Sequence, residues 1–225
     1  ARAAILSGVH HTRSGIQNTH WGDGPKWREF PGLENVETLE QFFKSRGYKT
    51  LGAGKIYHSQ APPWAPTSQI EPENWDFYYP SKYISHPYQI RAPKEVIYPK
   101  EVKNKSRPGD RDGTGESSWW TWGPIPVSDE KMADYHIVDW ANYQLELEHE
   151  KPFFLAVGTW KPHDPWEVPQ KYFDLYPMED VVLPVHKKND LDDAFDHGRR
   201  WIQKWVENNN QWKKVIQSYA AAISF

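Results

Sequence analysis

Two segments of the chain couple a helical apolar period to a short apolar run. In TLEQFFKSRG, residues 38–47, Leu39, Phe42 and Phe43 fall on one helical face. Thr38 and Gln41 have the spacing of a capping box, and Gly47 suits the C-terminal cap. The YKTLGAG that follows predicts a short strand with imperfect alternation. The second pair is longer. Over SDEKMADYHIVDWANYQLELEHE, Asp129 and Glu130 suit the positive end of a helix dipole. Met132, Tyr135, Val138 and Ala141, or Ile137, Trp140 and Leu145, supply a broad apolar face. Lys151-Pro152 ends this helix, and PFFLAVG reads as a nearly continuous apolar run, the pattern of a central strand covered on both faces. Two helix–strand pairs predict an α/β sheet, parallel or mixed, over an all-helical bundle.

Elsewhere the pattern is less regular. RAAILSG is a helical turn or a buried strand, and residues 199–225 form an amphipathic helix that the run Asn208–Asn210 interrupts. Residues 60–128 are rich in Pro, Gly and aromatic rings, which excludes long helices and predicts an irregular insertion with occasional short strands. Its many large rings favour packing over a free linker. Asn104-Lys105-Ser106 is a sequon, meaningful only in a glycosylating pathway.

Composition narrows the function classes. With 13 Trp, 12 Tyr and 9 Phe the chain has material for a sizeable core. The 27 basic and 30 acidic residues give a formal charge of -3, against a nucleic-acid binder working through a broad positive surface. The absence of Cys excludes disulfides and thiolate chemistry within these residues, and no apolar run is long enough for a membrane-spanning helix. The chain starts at Ala1 without Met or secretion signal and closes inside an apolar run, so it reads as a piece of a longer protein. No pattern sets an oligomeric state.

Candidate chemistry gathers just past the two strands. GAGKIYH, Gly52–His58, fails as a nucleotide-phosphate loop: Lys55 is followed by Ile56, and Lys49 stands where the first Gly is required. Lys55 and His58 can instead bind an oxyanion, or Lys55 is solvated and His58 caps or packs. In KPHDPW, His163 lies between Pro162 and Pro165 on a stiff backbone, with Lys161 adding positive charge. It either donates a proton beside an anionic substrate or satisfies a buried carbonyl, while Trp160 and Trp166 pack. His10 and His11 adjoin a turn, and His136 falls on the long helix as a structural or exposed residue. Asp192, Asp193, Asp196 and His197 form a loose acidic cluster better suited to a solvated loop than to a cation. Spacing assigns neither a Ser/His/Asp triad nor a metal ligand set.

Taken in order, these landmarks resemble the sulfatase family, in particular its iduronate-2-sulfatase-like lineage. ARAAILSG resembles the tail of the C/S-x-P-x-R signature, with Arg2 at its arginine. TLEQFFKSRGYKTLGAGKIYH resembles the segment leading to the active-site lysine and histidine. WGPIPVSDEKMADYHIVDWA, KPFFLAVGTWKPHDPWEVPQKYFDLYP and SYAAAIS resemble later landmarks. The resemblance implies an alkaline-phosphatase-like α/β fold, a mixed sheet flanked by helices. Residues 1–225 would be an incomplete catalytic domain, with 60–128 an insertion inside it. It also implies hydrolysis of sulfate esters by a formylglycine, placed three residues before Ala1, with Ca2+ held by carboxylates outside this chain. Arg2 would polarise the nucleophile region, Lys55 bind nucleophile and sulfate, His58 orient the nucleophile, and His163 face the ester and protonate its leaving oxygen. Lys161 and Trp160 would join Lys55 and His163 in substrate binding. Two departures bear on this. The lysine and histidine are separated by Ile56-Tyr57 where many sulfatases have a single Trp, and Trp160 stands where the lineage often has histidine, which argues against iduronate-sulfate specificity. The expected substrate is a sulfated carbohydrate or another sulfate ester, met in a periplasmic, extracellular or lysosomal setting, and the isolated chain is expected to be inactive. Alternatives are a phosphomonoester or phosphonate hydrolase of the same fold, and a non-catalytic oxyanion- or glycan-binding relic.

Overall fold

The protein is described by a computed structural model over residues 2–16, 27–57, 72–79, 122–185, 187, 203 and 206–225. In chain order its elements are α1 (Arg2–Ser7), α2 (His11–Ser14), α3 (Leu39–Ser45), β1 (Lys49–Gly54), β2 (Phe77–Tyr79), β3 (Trp122–Ile125), α4 (Ala133–Glu146), β4 (Phe153–Gly158), β5 (Trp166–Pro169), α5 (Gln170–Phe173) and α6 (Trp212–Ser224). The chain divides into two compact units. One joins Ala1–Arg91 to Met132–Trp160, and the other joins Ala92–Lys131 to Lys161–Phe225.

The first unit is a parallel sheet of order β2-β1-β4. Among the described residues β1, not β4, has a neighbour on each side. Thr50 through Gly54 are all buried, while Val157 on β4 is 43% exposed. Helix α3 packs on β4 through Phe43 and Phe154, α4 contacts the same strand, and among the described residues β4 pairs with β1. Side-chain alternation on β2 shows the layering. Tyr78 packs with the cluster of Leu6, Ile56, Tyr57 and Trp75, which Phe154 and Ala156 of β4 also join. Phe43 of α3 stacks on Phe154 at 4.7 Å, so α1 and α3 cover this face. Phe77 and Tyr79 point the other way and stack on Trp140 of α4 at 5.7 and 5.6 Å.

The helix termini follow local chemistry. At α3 the capping box forms: the Gln41 amide donates to Thr38 Oγ1 at 3.4 Å and the Thr38 amide to Gln41 Oε1 at 2.9 Å. Gly47 takes a left-handed φ of 81° just beyond the helix. The long segment after 128 departs from expectation at both ends. Asp129–Lys131 is a separate 3-10 turn, and α4 starts at Ala133 and stops at Glu146. Its buried stripe is Asp134, Ile137, Ala141 and Gln144, whereas Tyr135, Val138 and Leu145 are exposed. Asp129, expected to serve the helix dipole, instead accepts from Lys171 at 2.5 Å and from the Tyr172 hydroxyl at 2.9 Å.

The second unit pairs β3 with β5 in parallel, from Trp122↔Trp166 to Ile125↔Pro169. Helix α6 packs on both strands and on α5. Tyr176 bonds Ser224 at 2.7 Å, and the Gln217 amide donates to the Tyr176 carbonyl at 2.6 Å. The interruption expected at the asparagines is present. Residues 206–208 are helical, Asn210 turns with φ 52°, and α6 follows. Asn is among the residues that tolerate this left-handed conformation.

Of the stretch 60–128, the described parts are the 3-10 turn Pro72–Asn74, β2, β3 and the residues after it; Asn104 lies outside the described residues. Every described strand ladder is parallel, with helices on the sheet faces, an α/β architecture. No helix among the described residues is long and apolar enough to cross a membrane.

Candidate functional site

The candidate lysine sits where two strands end together. β1 and β4 stay in register as far as Gly54↔Gly158. Gly54 has a φ of 70°, and a Cβ there would lie 2.2 Å from the Gly158 carbonyl oxygen. A Cβ on Gly158 would in turn lie 2.1 Å from the Lys55 carbonyl oxygen, so the crossing requires glycine on both strands. The Lys55 amide donates to Gly158 O at 2.6 Å. This places Lys55 at the carboxyl end of the central strand, 6% exposed. Ligand sites of open α/β sheets gather at that end.

Arg2 secures the turn after Lys55. Its guanidinium donates to the Lys55 carbonyl and, at 3.3 Å, to the Ile56 carbonyl. Burial pulls the Arg2 pKa below its ordinary value, partly opposed by Tyr78. The Tyr78 hydroxyl donates to Gly54 O at 2.6 Å, and the Tyr57 hydroxyl donates to Glu40 Oε1. Glu40 is wholly buried, with no partner for Oε2 among the described residues.

Trp160 follows β4 as Lys55 follows β1. Its ring centroid lies 3.9 Å from Lys55 Nζ, a cation–π contact. Its amide hydrogen is shared by both carboxylate oxygens of Asp134, at 2.8 and 3.0 Å. One unit therefore brings together Arg2, Lys55 and Trp160, three of the residues the sequence singles out. His58 lies outside the described residues. Asp134 and Glu40 escaped the sequence reading. Their only signal is an acidic residue in the first turn of a helix, which ordinarily indicates a solvated dipole partner.

The KPHDPW loop belongs to the second unit. The peptide bonds before Pro162 and Pro165 are both cis. Lys161 Nζ donates to the Pro165 carbonyl, and Trp166 Nε1 donates to the Pro162 carbonyl at 2.8 Å. The Trp166 ring packs edge-on against Tyr219, 5.5 Å away. His163 is 48% exposed in its side chain, and its Nδ1 meets Asp164 O at 2.6 Å and Asp164 Oδ1 at 3.0 Å. The carbonyl it satisfies is its neighbour's, on an exposed loop. With two oxygen acceptors against it, Nδ1 carries the proton.

The other histidines have local roles. His10 caps α2, accepting from the Thr12 amide, and its ring lies 4.1 Å from that of His11. His136 meets Tyr135 edge-on. The cluster Asp192, Asp193, Asp196 and His197 lies outside the described residues. Among those described, no group of three or more His, Cys, Asp or Glu side chains is placed to hold a metal ion.

Comparison with known proteins identifies the family. A sulfatase of Formosa agariphila is 29% identical over 232 residues, covering 100% of this chain and 43% of its own length. Human iduronate 2-sulfatase is 29% identical over 162 residues, covering 70% of this chain and 26% of its own. Among solved structures, Ps i-CgsB in complex with k-i-k-neocarrahexaose aligns over 95% of this chain and 45% of its own, at 16% identity and a TM-score of 0.39. The chain thus spans less than half the length of these relatives. The sulfatase family model matches residues 1–225, and the chain belongs to the sulfatase family.

Proposed function

We propose that the protein carrying this chain hydrolyses sulfate esters, on a sulfated carbohydrate, and that these residues supply the oxyanion-gripping part of its site. The observation that carries the reading is Lys55: a buried ammonium at the end of the central strand, on a turn secured by Arg2. A fixed cation in a poorly hydrated position stabilises charge developing on sulfate oxygens more than a solvated one does. In this reading Arg2 acts on the backbone that presents Lys55. His58 orients the nucleophile, and His163 protonates the leaving oxygen, both by family resemblance. Because Nδ1 of His163 is engaged with Asp164, the proton would come from Nε2. Trp160 and Lys161 complete the proposed substrate contacts.

Formylglycine and calcium enter through the same resemblance. The former would supply the nucleophile and the latter charge neutralisation. The described residues do not form a cation cage and the chain has no cysteine, so no step is derived through either group. A setting outside the cytoplasm, periplasmic, extracellular or lysosomal, belongs to the same proposal.

The test is an assay of the full-length protein on paired aryl sulfate and aryl phosphate esters, followed by sulfated sugars. Sulfate release is expected, and Lys55→Ala is expected to lower kcat/KM by about a hundredfold or more, the usual loss when a transition-state donor is removed. The isolated chain, assayed beside it, is expected to show no turnover. Preference for the phosphate ester, or an unaffected Lys55→Ala variant, would overturn the reading.

A further inference from the structure

Lys55 is held on two sides by devices of different kinds. The backbone is fixed by Gly158 and Arg2, but those bonds reach only the main chain and leave four side-chain torsions to place the ammonium. The Trp160 ring lies against the ammonium end, 3.9 Å from Nζ. Trp160 is itself fixed by an unusual anchor. Its amide hydrogen is split between the two oxygens of Asp134, a carboxylate 6% exposed in the first turn of α4. A carboxylate is a strong acceptor, and the N-terminal end of a helix favours its charge.

Resting on the sulfate-binding reading of Lys55, we propose that Asp134 and Trp160 are positioning residues for that lysine: Asp134 sets where the chain leaves β4, and the indole forms a shelf that holds the ammonium in place. The choice of ring is chemically apt. An aromatic face attracts a cation through its quadrupole but carries no full negative charge, so it orients Lys55 without neutralising it. A carboxylate in the same place would orient the lysine equally well, yet would repel the sulfate that the lysine is meant to attract. Asp134 stands one step back, its carboxylate meeting the backbone amide of Trp160.

The test uses the full-length protein with inorganic sulfate as probe. Lysine labelled at the ε-carbon reports two things in one spectrum: the ring-current shift of the Lys55 ε-methylene under the indole, and its response to added sulfate. Trp160→Leu is expected to abolish the upfield shift and weaken sulfate binding by about fivefold, the scale of a partly desolvated cation–π contact. Trp160→Phe keeps a shelf and is expected to stay within about twofold of the parent. Asp134→Ala is expected to move the ε-methylene signal toward that of a free lysine and weaken sulfate binding, with Asp134→Asn, which keeps one acceptor in the same shape, recovering much of both. Should Asp134→Ala fail to fold, the Leu and Phe variants at Trp160 still decide the matter. Calorimetric titration with sulfate, which needs no Lys55 signal, is run on Lys55→Met to separate this inference from the reading beneath it. Loss of sulfate response in Lys55→Met with unchanged response in Trp160→Leu would overturn the shelf and leave the sulfate site standing. A full sulfate response in Lys55→Met would overturn both.

Discussion

At the residue scale, Gly54 decides whether the site exists. Its left-handed φ costs an ordinary side chain about 1–2 kcal/mol, and the Gly158 carbonyl occupies the place of a Cβ. Gly54→Ala is expected to destabilise the protein by at least about 2 kcal/mol and to move Lys55, read by chemical denaturation beside sulfate titration. Unchanged stability would show that the strands can part at this point. The sequence marks this glycine only as one of two in GAGK, and nothing local says that its partner is Gly158, more than a hundred residues away. The same distance hides the indole over Lys55. Trp160 is visible in the sequence as a departure from a histidine pattern, but its contact depends on the register of two strands that no spacing rule fixes. Lys55 and Arg2 are legible because their neighbours in the chain carry the resemblance. Asp134 is not, because an acid in a first helical turn is most often solvated.

At the scale of elements, legibility tracks how local the determining interactions are. Helix α3 is readable to within a residue because Thr38, Gln41 and Gly47 cap it by contacts inside ten residues of chain. Thr38→Ala is expected to cost about 1 kcal/mol, read as a shift in denaturation midpoint, while Thr38→Ser stays near the parent. A loss as large in the Ser variant would place the effect in packing of the methyl group, since Thr38 is fully buried. Helix α4 is less readable. Its buried stripe includes Asp134 and Gln144, two polar residues that a hydrophobic count assigns to the outer face. Asp129, one of the two acids expected at its start, turns out to serve α5, because Lys171 and Tyr172 both donate to it. The apolar run of β4 predicts cover on both faces but does not fix its neighbours; among the described residues it pairs with β1.

For the molecule as a whole, one buried acid ties stability to pH. Glu167 on β5 has an oxygen closed to solvent with no partner among the described residues, and burial pushes its carboxyl up to about 7 from 4.5. Between those values the unfolded chain releases the proton and the folded one keeps it. Stability from this group is therefore full below about 4.5 and lost as pH rises toward about 7, by a total on the order of 3 kcal/mol. Urea unfolding of Glu167→Gln, which stays neutral throughout, is expected to lack that fall. Parallel pH profiles for the two proteins would refute it.

The matched register of β1 and β4 has a consequence for how this protein can change. Lys55 lies one residue past Gly54 and Trp160 two past Gly158, so ammonium and indole meet only because the two strands keep their glycines paired. Deleting one residue inside either strand would put the two side chains out of step and turn one of them to the opposite face of the sheet. Insertions in the surrounding loops carry no such penalty. Length at these two strands is thus coupled, and a variant that shortens one should regain the contact between Lys55 and Trp160 only when the other is shortened with it.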